Sequence, residues 1–285
     1  MWSHVHGGNI VKTVSRQTVQ ASDRSKLIGA EFFCRTIISN SGTSSNSNVV
    51  LRHSVEDVRK IQGRYTLSFY AKSDSPKNMA FEFSQVFGTG GSAIAYITPE
   101  KVQLSTEWQR YSVIIDVPDI TDKTIGQNSY CQLMFWFSGG SDFNLRTGNL
   151  GLQTGTFDIA QAKFERGDKM TAFEIPDPVV ELLRVSRYYE QIARSSNFIT
   201  SFHLTFNGYM GIIPIARKRI APAVTISPIT AFFLYPIETA ATAITVTPRE
   251  ENLIVFIRGI SPTGYGDSRI GGMYPQAFIA VDARL

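Results

Sequence analysis

The sequence is short of charge. Charged residues make up 18% of the 285 positions, below the quarter typical of soluble domains, so the surface must rely on Ser, Thr, Asn and Gln. Cysteine is scarce too, with Cys34 and Cys131 both inside apolar, strand-like runs. Two cysteines carry no disulfide framework; they read as buried thiols acting as small hydrophobes, a single disulfide being the alternative. No apolar run approaches the length needed to span a bilayer, which excludes membrane insertion by a helix. The opening MWSHVHGGNI has no basic stretch followed by an apolar block, so no export signal is expected. A role outside a cell would need another route of delivery. No Asn-x-Ser/Thr acceptor occurs either. The net charge is +4 with 28 basic residues, but these are scattered, and Arg217-Lys218-Arg219 is the one tight cluster. A nucleic-acid binder would show a stripe with interleaved aromatics, so nucleic acid is not expected as a partner.

Catalytic signatures are missing as well. There is no Gly-x-Ser-x-Gly elbow, Walker loop or His-Glu-x-x-His pair. Glu250 and Glu251 are adjacent, so in extended chain they point to opposite faces and cannot flank one bond. No repeat of twenty to fifty residues suggests a solenoid. The glycine-rich FGTGGS at residues 87–92 precedes no helix and reads as a hairpin or loop tip, not a phosphate cradle. His4-x-His6 places two imidazoles on one face of an extended segment, short of the third and fourth ligands a metal site requires. The expectation is a protein that binds and does not catalyse.

What the chain does contain is apolar alternation, with hydrophobic residues at 43%. Residues 155–191 form a joint. A period-two strand holds Phe157, Ile159 and Gln161 on one side, Arg166-Gly167-Asp168 turns it, and Pro176 and Pro178 stop it. A short helix then follows, with Asp177-Pro178 as its cap and Val180 and Leu183 at helical spacing. This divides the chain into a weakly patterned connecting segment (1–30), a β domain (31–175), a linker helix (176–192) and a second β-rich domain (193–285).

Within the first domain, strands are predicted over 28–38, 64–72, 79–86, 108–117 and 130–138, at the cadence of a sandwich. No helix is expected between residues 61 and 173. Each strand has one strongly apolar face and one mixed face, and two antiparallel sheets packed through the apolar faces make an all-β sandwich. The mixed faces carry Tyr70, Glu82, Gln85, Arg110, Gln132 and Trp136. Aromatic rings beside amide and charged groups suit sugar recognition, in which a ring stacks on a pyranose and polar groups meet its hydroxyls. The alternative for Tyr70 and Trp136 is packing beneath a loop.

The blocks GRYTLSFYAKSD, FGTGGS, STEWQRYSVIIDVP, FWFSGGSDFNLRTGNLGLQTGTFDIAQAKFERGDKMTAFE and RVSRYYEQ, in that order, resemble phage and prophage tail-fibre-like proteins. In those proteins a jelly-roll domain similar to carbohydrate-binding modules precedes a β-rich tip domain. The likeness runs from about residue 45 to the end, where RKRIAPAVTIS and GGMYPQAFIAVDARL resemble that group's signature and closing strand. It implies a virion protein, assembled as a homotrimer with other tail proteins, that recognises host-surface polysaccharide without an enzymatic activity. Jelly rolls of this group often hold a structural calcium. Asp142, Asp158 and Glu165 are the oxygen donors in the right stretch, though nothing in their spacing demands a site. Residues 1–30 resemble neither the group's usual start nor its attachment region.

In the second domain the prolines fall at predicted strand ends. Phe232, Phe233 and Tyr235 form an apolar cluster that suits either a core or, with the Val180/Leu183 helix face, a three-fold axis. The segment 261–272, with Tyr265 and Arg269, reads as an exposed loop tip suited to contact. Two rival functions remain: a purely structural virion component, and a carbohydrate-binding accessory of a polysaccharide-degrading tailspike.

Overall fold

A computed structural model describes residues 2–193, 199–204, 208–218, 222–227, 232–234, 239–240, 243–248, 252–258, 268–273 and 278–282. The chain divides into two compact units, Met1–Ile175 and Pro176–Leu285.

The first unit contains β1 (Trp2–Gly7), β2 (Val11–Thr18), β3 (Phe32–Asn40), β4 (Asn48–Glu56) and β5 (Gly63–Ser73). It continues with β6 (Lys77–Val86), β7 (Ala95–Leu104), β8 (Gln109–Val117), β9 (Tyr130–Gly139), a one-turn helix α1 (Asn144–Thr147) and β10 (Gly155–Arg166). The strands form two five-stranded antiparallel sheets. The front sheet has the order β1-β4-β9-β6-β7 and the back sheet β2-β3-β10-β5-β8. The fold is an all-β antiparallel jelly-roll sandwich.

Alternation explains the strands. Met79, Phe81 and Phe83 of β6 and Cys131, Leu133, Phe135 and Phe137 of β9 point inward. They meet Leu67, Phe69 and Ala71 of β5, Val113, Ile115 and Val117 of β8, and Phe157 and Ile159 of β10. Rings interlock across the gap: Phe69 meets Phe135 edge-on at 5.3 Å between centroids, and Phe137 lies 5.1 Å from Phe157. Cys131 is buried within this core and Cys34 is half-buried, and both are free. The glycines of the FGTGGS tip allow two loops to touch. Gly126 donates its N–H to the Phe87 carbonyl at 2.7 Å, and a Cβ on Gly91 would stand 2.3 Å from that same oxygen.

Three expectations are corrected. Residues 1–30 are not a connecting segment: β1 pairs with β4 and β2 with β3, and Val19 and Leu27 pack on the back sheet's outer face beside Phe33 and Trp108. A helix does occur between residues 61 and 173, because Gly148, at φ 58, supplies the left-handed cap that closes the single turn of α1. β4 and β7 add strands that the pattern did not mark. β7 is an edge strand, the place where a proline such as Pro99 is tolerated.

In the second unit, helix α2 (Pro178–Ser186) is capped by Asp177, whose Oδ1 accepts from the N–H groups of Val179 at 2.8 Å and Val180 at 3.2 Å. The strands are β11 (Tyr189–Ala193), β12 (Ile199–Leu204), β13 (Gly208–Pro214), β14 (Ala223–Ser227), β15 (Phe232–Leu234) and β16 (Thr239–Ala240). They continue with β17 (Ala243–Pro248), β18 (Asn252–Arg258), β19 (Ser268–Met273) and β20 (Phe278–Asp282). Among the described residues these make an antiparallel three-stranded sheet, β11-β20-β14, and a seven-stranded one, β16-β15-β19-β12-β13-β18-β17.

Two histidines near the start of the front sheet are held neutral. Burial lowers His4 to about 4, helped by the Lys12 charge, and lowers His53, whose ring lies tilted 4.8 Å from that of Trp2, to about 4 as well. Both pKa values are depressed, so the unfolded chain binds more protons than the folded one between 6.5 and about 4. Their contribution to stability is complete above pH 6.5 and is lost as the pH falls toward 4. Urea unfolding across this range should show stability dropping with acid, with a shallower slope in His53→Gln. An unchanged slope would contradict the assignment.

Candidate functional site

The expected site residues do not share one surface. Gln85 has the same parity as Phe81 and Phe83, so it lies on the inner face, fully buried, with Nε2 donating to the Pro118 carbonyl at 2.9 Å. Tyr70 and Arg110 lie on the outer face of the back sheet. There Tyr70 packs against the cluster of Val19, Leu27, Phe33 and Trp108, and Arg110 donates to Ser68 Oγ and to the Thr171 carbonyl. Tyr70 is engaged by packing and Arg110 by hydrogen bonds within the first unit. Glu82, Gln132 and Trp136 do come together, on the outer face of the front sheet.

Register builds that face in rows. Arg52 pairs with Met134, and Met134 with Glu82. The next row runs Ser54, Gln132, Ser84 and Tyr96 across β4, β9, β6 and β7. Trp136 and Glu82 are each 2% exposed, so Trp136 takes the alternative of packing beneath a loop. Its ring packs with Val50, Ala80 and Met134 beneath Phe143 and Leu150. The carboxylate of Glu82 accepts from Trp136 Nε1 at 3.1 Å and from Arg146 of α1, Nη2 to Oε1 at 2.9 Å and Nε to Oε2 at 3.1 Å. Burial pushes the Glu82 carboxyl up, while Arg146 and Trp136 pull it back toward the charged form. The Arg146 guanidinium sits 4.8 Å from the Tyr96 ring centre, 5.1 Å from Trp136 and 5.8 Å from Phe143. A buried carboxylate thus locks α1 onto the sheet and fixes the cation beside Tyr96.

Tyr96 is 51% exposed, whereas its row neighbours Ser54, Gln132 and Ser84 are sunk below it. Gln132 Nε2 lies 3.5 Å from Ser54 Oγ. Ser84 Oγ is buried with no hydrogen-bond partner. Arg52 donates from Nε to Ser3 Oγ at 2.9 Å. The face therefore offers one exposed ring, a backing cation and a line of hydroxyl and amide groups. Tyr96 and Arg146 were missed by pattern reading. Alternation in AYI was the signal for Tyr96, while Arg146 had only the Gly148 cap to mark its turn.

Asp142, Asp158 and Glu165 do not meet. Asp158 is buried against Arg35 through two contacts of 2.8 Å. Asp142 accepts from Ser45, and Glu165 is engaged by Thr171 and Lys163. No group of three or more His, Cys, Asp or Glu among the described residues is placed to hold a metal. Each acid already has a local partner, so the calcium set is withdrawn. Val180 and Leu183 are 44% and 68% exposed on α2. Tyr265 lies outside the described residues, as does the Arg269 side chain. The Arg269 backbone belongs to β19, opposite Ser201, and not to a loop tip.

No protein-family model matches the chain, and no curated protein matches it. Among solved structures, a family 4 carbohydrate-binding module matches at 18% identity over 47% of this chain and 70% of its own, with TM-score 0.32. A family 11 carbohydrate-binding module from Clostridium thermocellum, solved with a mixed-linked tetrasaccharide, matches at 12% over 58% and 88%, with TM-score 0.37. The enzymatically active domain of bacteriophage CBA120 tailspike protein 4 matches at 12% over 57% of this chain and 19% of its own, with TM-score 0.37. At these values the likenesses carry no argument about ligand or activity.

The Trp136–Glu82–Arg146 cluster makes a direct prediction. Trp136→Ala should cost about 3–5 kcal/mol in a denaturant titration, as for other buried large aromatics. Arg146→Ala should cost about 3 kcal/mol, because it strands a buried carboxylate, and adding Glu82→Gln should restore part of that loss. Losses below about 1 kcal/mol would place the cluster at the solvent edge.

Proposed function

We propose that this protein is a non-enzymatic receptor-binding component of a phage tail fibre that recognises host-surface glycan through the outer face of the front sheet. The observation that carries this reading is the row Ser54–Gln132–Ser84–Tyr96, with its exposed ring and sunken polar groups. A pyranose stacks its apolar face on Tyr96, and its hydroxyls meet the rim that Gln132 and Ser54, each 8% exposed, leave beside the ring. The ring is held from behind by Arg146, itself fixed by Glu82, so little order has to be created on binding. Neighbouring blocks of sequence that resemble tail-fibre-like proteins support the virion setting.

Such a face binds one sugar weakly, and assembly as a homotrimer multiplies it by avidity. Helix α2 supports the trimer. Val179, Leu182 and Leu183 are each more than 60% exposed, and Val180 and Val185 are partly so, leaving an apolar helix that the described residues of its unit do not cover.

Fluorescently labelled protein should bind host cells or a glycan array, and Tyr96→Ala should weaken that binding about tenfold per site without lowering the melting temperature. Equal binding by Tyr96→Ala would remove this face from the reading. Protein that labels no host cell yet co-purifies with particles would favour a purely structural role. Leu183→Glu should convert the trimer to monomer in sedimentation, and an oligomer indifferent to that change would leave α2 as a linker.

A further inference from the structure

A second feature lies away from the glycan face, between the two sheets. The ladder joining β10 to β3 runs from Gly155 opposite Ile38 to Ile159 opposite Cys34, and there it ends. β3 continues to Phe32, but β10 breaks register between Ala160 and Lys163. Gln161 takes a left-handed φ of 49 at that bulge, and its Nε2 is drawn away to the Ile28 carbonyl at 2.8 Å. A bulge in mid-strand bends the backbone and ends pairing, and such bulges are often found beside functional sites. Here the strands part beside an open pocket of about 470 Å³ that Trp2 and His4 of β1 also line. That volume lies within the roughly 300–1,000 Å³ of small-molecule pockets.

The lining has a consistent chemistry. Leu51 and Ile159 form the inner, apolar part, and Trp2 and Phe32, 38% and 44% exposed, stand at the mouth. Arg16 lies 4.3 Å above the Phe32 ring, and no carboxylate among the described residues pairs with it. His4 also lines the cavity, its Nε2 3.6 Å from Cys34 Sγ and its Nδ1 buried without a hydrogen-bond partner. A guanidinium without a carboxylate partner at an apolar mouth is the polar group that such a pocket uses to orient a ligand.

We propose that this cavity binds a small amphipathic anion, an aliphatic or aromatic carboxylate whose apolar body enters between the sheets and whose carboxylate meets Arg16. The apolar lining selects the tail; the guanidinium selects the head. The site is independent of glycan recognition, since it shares no residue with the Tyr96 row.

Octanoate and octanol, titrated separately into the full chain while tryptophan fluorescence is followed, test the proposal. Octanoate should give a saturable change that disappears in Trp2→Phe if Trp2 is the reporter at the mouth. Arg16→Gln should weaken octanoate about tenfold and leave octanol unchanged, whereas Ala162→Phe, which fills the cavity, should abolish both. If Ala162→Phe does not fold, Phe32→Ser, at an exposed mouth position, should weaken both ligands. Tyr96→Ala should leave both affinities as they were. No saturable change, or octanoate binding that is indifferent to Arg16→Gln, would overturn the proposal.

Discussion

The aromatic seam between the sheets is the constraint from which the other features follow. Phe69 of the back sheet contacts Phe81 and Phe135 of the front sheet, with ring centres 5.1 Å and 5.3 Å apart. Burying each such side chain is worth about 1.5–3 kcal/mol, and a one-residue slip in any central strand would turn its whole set outward. Register is therefore fixed, and with it every residue of opposite parity. Ser84 lies beside Gln132, and Gln132 beside Ser54, because Phe83, Leu133 and Val55 point the other way.

Both outer faces also carry a charge pair, but the two pairs do different work. On the back sheet Asp158 faces Arg35 directly across the β3–β10 ladder, a cross-strand pair that holds neighbouring strands. On the front sheet Glu82 is met by Arg146, which arrives from α1, sixty-four positions away in sequence. That pair ties a loop to a sheet. A carboxylate this deeply buried is costly unless paired and hydrogen-bonded, and Trp136 Nε1 supplies the second bond. The result is a rigid backing for Tyr96, whose ring faces the guanidinium.

Much of the fold was legible in the sequence. The strands with strict alternation and bulky inward residues, β5, β6, β8 and β9, were marked by period alone, and Asp177-Pro178 marked the start of α2. What was not legible depended on partners distant in the chain. β1 and β2 carry few large apolar residues, since edge strands need fewer, and so they read as a connecting tail. β7 is interrupted by Pro99, Glu100 and Lys101, which only its edge position accommodates. The site was legible in part. Parity placed Glu82, Gln132 and Trp136 on one face, but depth is not encoded by parity, and α1 with Phe143 and Leu150 covers Trp136. Gln85 shares the parity of Phe81 and Phe83, which puts it on the inner face. The acids grouped for calcium were near in sequence, yet each is claimed by a nearer cation or hydroxyl.

The outer face of the front sheet is the surface proposed to meet glycan. Hydrogen–deuterium exchange of the full chain, with and without host-surface polysaccharide, addresses this directly. The expected result is slowed exchange in β4, β6, β7, β9 and α1, with the back sheet unchanged. Protection confined to the back sheet around Tyr70 and Arg110, or to the second unit, would contradict it.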